Sequence, residues 1–422
     1  MAIKKSHKGS FFDKKEILDR KTREENLFEH INIQFKKITE LSSGWKSILK
    51  NVDIGKIRSR KDLAYIPITR KSSLAELQKK NFPYGNLNTK HYSKFPFMFA
   101  SPGPIYEPGD LNDFWNMSRA LYAAGLRSED ISYNTFSYHL GPAGIMMHQA
   151  ANNLGSTVIA GGVGNTDLQI ETIKNLSPSF YIGTPSFLKI ILEKAKKNNI
   201  YISTIKKALV GAEPLPTSLR KYLLSLGVEV MQMYGIAEVG CIAYETKNEN
   251  NILSNGMIVE EDIILEIVRP GTTKPLPPGE VGEVVVTKIN TDYPILRLGT
   301  GDLSKVIDEP SPCGRTNYRI QGWMGRAEQT TKLKGIFVTP KQINSITKIF
   351  KNIHKTRLVI NTKDFLDRGE LLCETEIEDK ELSKKIKLYF KENFKLNIEI
   401  SLVKKNIISN DGLVIEDKRV LD

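Results

Sequence analysis

The spacing of apolar and polar positions changes texture along the chain. In the stretch "DKKEILDRKTREENLFEHINIQFKKI" apolar residues recur at helical spacing with charges between them, and residues 10–80 read as a set of short helices. "PITRKSSLAELQKK" offers Ser72 or Ser73 as an N-cap ahead of another helix. "FPFMFA" is a short apolar strand, and the Pro- and Gly-dense "SPGPIYEPGD" behind it fits neither a helix nor a central strand.

From 110 to 230 strands and helices alternate. "DLNDFWNMSRALYAAGL" predicts a helix with Asp110 near its start and Gly125 near its end. "TVIAGG", "SFYIGTP", "KALVGAE" and "VEVMQMYG" are short apolar strands running into glycine, and "SFLKIILEKAKKNN" and "PTSLRKYLLSLG" are amphipathic helices. That order predicts a parallel sheet covered by helices, with ligands bound beyond the carboxyl ends of its strands. Between 252 and 322, "GMIVEEDIILEIVRPGTTKPLPPGEVGEVVVTKI" alternates apolar and polar residues between turn signals, which predicts an antiparallel region. The last hundred or so residues read as a small α+β domain. The fold class is therefore α/β: a large N-terminal region of mixed and parallel sheets flanked by helices, a β subdomain, and a small C-terminal α+β domain.

Composition narrows this picture. A chain of 422 residues with 40% hydrophobic content predicts two or three domains. No run of about 18 apolar residues predicts a membrane span. "MAIKKSHKGSFFDKKE" has no apolar segment behind its basic residues, and Asp13 and Glu16 argue against a transit peptide, so the expectation is a soluble cytoplasmic protein without membrane insertion. Cys241, Cys313 and Cys373 have neither metal-ligand nor disulfide spacing and read as reduced structural thiols. The net charge of +13 is spread along the chain without a nucleic-acid motif, so no nucleic-acid partner is expected; retention on DNA or RNA at low salt would say otherwise.

Candidate chemistry lies in "VGAEPLP" (210–216), "QMYGIAEVG" (232–240), "RLGTGDL" (297–303) and "GWMGRAEQTTKLKGIFVTP" (322–340). Each alone reads equally well as a turn. In their order and spacing, and with "GTPSFLKIILEKA" and "ALVGAEPLP", the chain resembles the phenylacetate-CoA ligase family of the adenylate-forming acyl-CoA synthetase superfamily. The likeness runs from "SFFDKKEILDR" to "NDGLVIEDKR".

The resemblance implies an AMP-forming ligase. It would activate a small organic acid, aromatic and phenylacetate-like, with ATP and Mg²⁺, and pass the acyl group to coenzyme A. It also implies a homodimer and a division into an N-terminal domain 1–325, a hinge at 326–328 and a mobile C-terminal domain 329–422. Asp302 would be the ribose clamp, since one carboxylate can accept from both ribose hydroxyls. Glu238 would be the catalytic, Mg²⁺-associated carboxylate; its bland reading is a surface glutamate. Gly211, Ala212 and Glu213 would line adenine, although Glu213 also reads as a solvated loop acid. Tyr234, beside Gly235, would pack against adenine or the acyl pocket, or simply in the core. Arg326 would face phosphate or ribose, its planar fork suiting oxyanions. Glu328 would be the hinge acid. Gly335 would line the coenzyme A tunnel, or form a surface turn. The acyl pocket would draw on "FSYHLGPAGIMMHQAANN", whose His139 and His148 read as packed or capping residues.

The chain departs from that family pattern in three places. The phosphate loop is atypical: only Ser101 and Gly103 retain its usual chemistry, Pro102 and Pro104 lack N–H donors, no lysine follows, and Glu107 and Asp110 would repel a triphosphate. Ala237 replaces a hydroxyl residue before Glu238. Leu413 follows Gly412 where the family's adenylation lysine would stand, and Lys418 lies five residues on. All three bear on the α-phosphate. The alternative reading is accordingly a catalytically impaired homologue that senses a nucleotide or acyl-adenylate or serves as a partner subunit.

Overall fold

The computed structural model describes residues 10–101, 104–269, 272–288, 290, 292–325, 327, 331–333, 336–338, 340–363, 366–376, 379–409 and 414–419. These fall into two compact units, one drawn from residues 1–300 and 304–323, the other from 301–303 and 324–422.

The larger unit is built on a nine-stranded mixed sheet. Its order is Val306–Ile307, Arg319–Ile320, Met257–Val259, Gly240–Tyr244, Glu229–Ile236, Lys207–Val210, Phe180–Gly183, Ile131–Asn134 and Thr157–Ala160. The last five run parallel, and the pairings on the other side of Glu229–Ile236 are antiparallel. The parallel strands read as unbroken apolar runs because helices cover both faces. Alternate residues serve opposite faces. Phe180, Ile182, Leu209 and Met231 join a core with helices Ser118–Ala123 and Ala143–Asn153. Tyr181, Ala208, Val210 and Val230 join another with helices Thr166–Leu176, Pro185–Lys197 and Thr217–Ser225.

A second sheet, ordered Thr69–Arg70, Ile295–Ser304, Gly282–Lys288 and Ile264–Val268, shares a core with the long helix Arg20–Leu41. That helix buries Phe28, Ile31, Phe35 and Ile38, the spacing of one helical face. Buried ion pairs fix the N-terminal segment to the rest of the larger unit. Glu16 accepts from Arg315 Nε (2.5 Å) and the Tyr244 hydroxyl (3.0 Å). Arg23 Nε donates to Glu261 (2.9 Å), and Arg119 bridges Glu260 and Asp13. Inside the second sheet, Arg297 donates from Nε and one terminal nitrogen to both oxygens of Glu266, each at 2.9 Å.

The smaller unit carries a four-stranded sheet ordered Glu399–Val403, Leu366–Glu374, Lys355–Lys363 and Ile415–Asp417. Ile343 and Ile346 of helix Pro340–Ile349, and Ile386 and Phe390 of helix Lys380–Phe394, share its core. No helix among the described residues is long and apolar enough to cross a membrane.

Three local expectations need correction. The helix expected from Asp110 is only Ser118–Ala123. Asn112, Asp113 and Asn116 adopt left-handed backbone angles, and the Asp113 carboxylate accepts from the N–H groups of Met117 (2.8 Å) and Ser118 (3.0 Å). Short polar side chains bonded to nearby backbone compete with helix in this way. Neither Ser72 nor Ser73 caps the next helix: Lys71–Lys80 starts directly after strand Thr69–Arg70, with both serines inside its first turn. Part of the Pro/Gly-rich loop is a strand, Ile105–Gly109, which among the described residues pairs with Phe97–Ser101 alone. A two-stranded hairpin leaves Pro108 an edge to occupy.

Arg297→Ala is expected to lower the unfolding free energy by about 3–5 kcal/mol, because it strands the Glu266 charge in the interior. Chemical denaturation of the full chain measures this, and a loss below about 1 kcal/mol would contradict it.

Candidate active site

The site is organised by a turn between antiparallel strands. Strands Glu229–Ile236 and Gly240–Tyr244 pair with an irregularity at Tyr234/Gly235 and are joined by Ala237, Glu238 and Val239. A Cβ at Gly235 would lie 2.6 Å from the Gly240 carbonyl oxygen, and one at Gly240, where φ is +91°, only 2.2 Å from the Trp115 carbonyl oxygen. Both positions exclude side chains and hold the turn closed. Glu238 at its tip is 6% exposed. Lys71 Nζ, from the first residue of helix Lys71–Lys80, sits 2.9 Å from its Oε1, whereas its Oε2 has no hydrogen-bond partner among the described residues.

A second carboxylate stands beside it. Glu107, 2% exposed, lies on the Ile105–Gly109 strand and accepts from Ser101 Oγ at Oε2 (2.6 Å). Its Oε1 has no partner among the described residues. Burial, and then the charge of Glu238, push the Glu107 carboxyl up to about 8. The hydroxyls of Tyr84 and Tyr293 are raised by burial first and by Glu107 next, and the Tyr84 hydroxyl oxygen too has no partner among the described residues. The strand is held in register by Gln78, whose amide accepts from the Tyr106 N–H (2.8 Å) and donates to the Tyr106 carbonyl (2.7 Å). One helix thus supplies both Lys71 and the brace that orients Glu107.

The other expected site residues are distributed as follows. Gly211, Ala212 and Glu213 follow strand Lys207–Val210, at the carboxyl edge of the parallel sheet. The Gly211 N–H donates to the Gly183 carbonyl (3.2 Å), Ala212 is exposed with φ of +64°, and the Glu213 carboxylate accepts weakly from the Ser186 N–H (3.4 Å). Tyr234 is packed in the core shared with the second sheet. Ser101 joins the carboxylate cluster through Glu107. Asp302, near the end of strand Ile295–Ser304, belongs to the smaller unit and is 4% exposed. Gly103, Arg326, Glu328, Gly335 and Leu413 lie outside the described residues. Lys418 is exposed, its Nζ 3.3 Å from Glu416.

Sequence reasoning missed Lys71, Gln78 and Tyr84, and took Glu107 only as a repulsive charge. No local pattern marks these residues; their partners are distant in sequence.

A carboxyl whose native pKa lies above its unfolded value binds a proton in the folded state that the unfolded state has released. Glu107 therefore costs stability progressively as pH rises from about 4.5 toward about 8. Glu107→Gln is expected to flatten that decline in the melting temperature, measured across pH without divalent cations. An unchanged slope would contradict the assignment.

The chain has relatives among known proteins in both sequence and fold. Residues 116–291 match the AMP-binding enzyme family. The phenylacetate-coenzyme A ligase of Thermus thermophilus is 31% identical over 337 residues, covering 76% of this chain and 74% of that protein. The enzyme of the same name from Pseudomonas putida is 29% identical over 360 residues, 78% of each chain. In fold, the chain is similar to a 2-hydroxyisobutyryl-CoA ligase crystallised with 2-HIB-AMP and CoA, with a TM-score of 0.78, 19% identity and coverage of 98% and 93%. With its strand-end loops, its turn carrying Glu238 and a sequence likeness of this extent, the chain belongs to the phenylacetate-coenzyme A ligase family, adenylate-forming carboxylate–CoA ligases among the AMP-binding enzymes.

Proposed function

We propose that this protein activates a small, aromatic, phenylacetate-like carboxylic acid with ATP and transfers the acyl group to coenzyme A. The observation that carries the reading is the 31% identity to a phenylacetate-coenzyme A ligase over three-quarters of both chains. The acid's carboxylate oxygen bonds to the α-phosphorus of ATP, the bond to the bridging oxygen breaks, and pyrophosphate leaves. The coenzyme A thiolate then attacks the acyl carbon, and AMP departs with the bonding electron pair.

Several features support roles for individual residues. Asp302 is a buried carboxylate suited to accept from the 2′- and 3′-hydroxyls of ribose. The loop Gly211–Glu213 presents backbone groups at a strand-end crevice, where a flat base can be read. Glu238 is buried with one carboxylate oxygen lacking a partner among the described residues, which fits the hard-oxygen coordination of Mg²⁺. That ion, when bound, supplies positive charge to the phosphates. Arg326 offers a fork for the phosphate or ribose. The chain would turn about a hinge at Glu328 between a domain 1–325 and a domain 329–422, bringing Gly335 to the coenzyme A side.

A second reading is favoured by Leu413, Ala237 and the missing loop lysine: a homologue that binds the adenylate but forms it slowly. The two are separated by following pyrophosphate and AMP release with ATP, Mg²⁺, coenzyme A and a panel of aryl and alkyl acids. Turnover with an arylacetic acid is expected. Release with none of the acids would overturn the ligase reading and leave the sensor. Leu413→Lys is expected to raise the adenylation rate by about 10²–10³-fold, the value of one preorganised donor to a developing oxyanion. If the substitution leaves a fully active wild-type rate unchanged, the lysine is not what limits this chain. Asp302→Asn is expected to weaken AMP binding by about tenfold, measured by calorimetry, because a charged acceptor becomes half donor.

A further inference from the structure

Three buried polar oxygens in the larger unit have no hydrogen-bond partner among the described residues and are electrostatically linked: Glu107 Oε1, Glu238 Oε2 and the Tyr84 hydroxyl. Leaving one such atom unpaired costs about 1–3 kcal/mol, more for a charged group, so a folded chain gathers them only where something satisfies them. We propose that Glu107 and Glu238 together hold one divalent cation, so that this chain grips its cation with two carboxylates. The proposal rests on the reading of Glu238 as a cation ligand and adds Glu107, a residue from the atypical phosphate loop, as its partner.

The arrangement meets the demands of such an ion. Each carboxylate has one oxygen already engaged, by Lys71 at Glu238 and by Ser101 at Glu107, and one oxygen left over. The engaged oxygens fix both side chains, and the Gln78 amide clamps the backbone next to Glu107, so the remaining oxygens are preorganised. Hard oxygen donors, two of them anionic, select Mg²⁺ or Mn²⁺ over softer metals. Charge points the same way. With both carboxylates ionised beside Lys71 the cluster is net −1, which repels a polyphosphate; a divalent cation, which favours that ionised form, makes it +1, which attracts one. The loop from Ser101 to Gly109 contains no lysine, so the ion supplies the positive charge that its own residues do not.

The test is Mn²⁺ binding by the full chain, read as loss of the free-ion electron paramagnetic resonance signal, with and without AMP. Wild type is expected to bind one Mn²⁺ in competition with Mg²⁺. Glu107→Gln and Glu238→Gln are each expected to weaken binding by about tenfold or more, the scale of losses at metal-site residues. Glu107→Asp, which keeps the charge on a shorter arm, should fall between, and it carries the test if the glutamine variant does not fold. Mn²⁺ affinity of Glu107→Gln within twofold of wild type, at an unchanged melting temperature, overturns the proposal: a water would then be the occupant. Absence of Mn²⁺ binding by wild type, with or without AMP, overturns it as well. Pyrophosphate release stays a separate readout. Mn²⁺ bound through Glu107 without release leaves this site standing and the ligase reading failed, and release with Mn²⁺ binding indifferent to Glu107 does the reverse.

Discussion

The structure around Glu238 depends on keeping an anion out of water. Glu238 is carried at the tip of a turn between two sheet strands whose facing glycines admit no side chain, and it is buried there. A single lysine, itself partly exposed, faces it, and a second carboxylate presses from the neighbouring hairpin. Buried charge of this kind is expensive unless it is matched. The fold spends stability here to hold two carboxylates near each other in its interior.

The scaffold explains why that centre can be held so tightly. Five parallel strands, packed by helices on both faces, form a rigid floor. The loop Gly211–Glu213 leaves the carboxyl edge of that floor, and the neighbouring strand carries Tyr234 and Gly235 into the turn that ends at Glu238. Antiparallel strands then continue the same sheet in the other direction, so the acidic turn sits where the sheet changes from parallel to antiparallel. Helix Lys71–Lys80 contributes from outside this sheet. Its first residue pairs with the acid and its eighth braces the hairpin carrying Glu107, so a single rigid rod sets the geometry of both.

Much of this was legible in the sequence, for physical reasons. Strands buried on both faces must be continuously apolar, and "SFYIGTP" and "KALVGAE" announce Phe180–Gly183 and Lys207–Val210. The helix Pro185–Lys197 has one apolar stripe and is readable from its period. The acid after Tyr-Gly stood out by its motif, and it is buried, not the surface glutamate of its bland reading. What failed was decided elsewhere. Asp113 bonds its own backbone and delays a helix that composition favours. Strand Ile105–Gly109 exists because Phe97–Ser101 is its neighbour. Lys71 matters only through Glu238, and Glu107 through Ser101, Gln78 and Glu238; periodicity reports which face of an element is buried, not which distant residue it meets.

The ion pairs of the N-terminal segment have a consequence for how the chain is made. Glu16 finds Arg315 across 299 positions and Arg23 finds Glu261 across 238. During synthesis Glu16 therefore waits for Arg315 and Arg23 for Glu261, and the nascent large unit cannot complete these pairs until residue 315 has emerged. Pairings this remote slow folding and prolong exposure of apolar surface. Closure of the larger unit is thus weighted toward the late part of its synthesis.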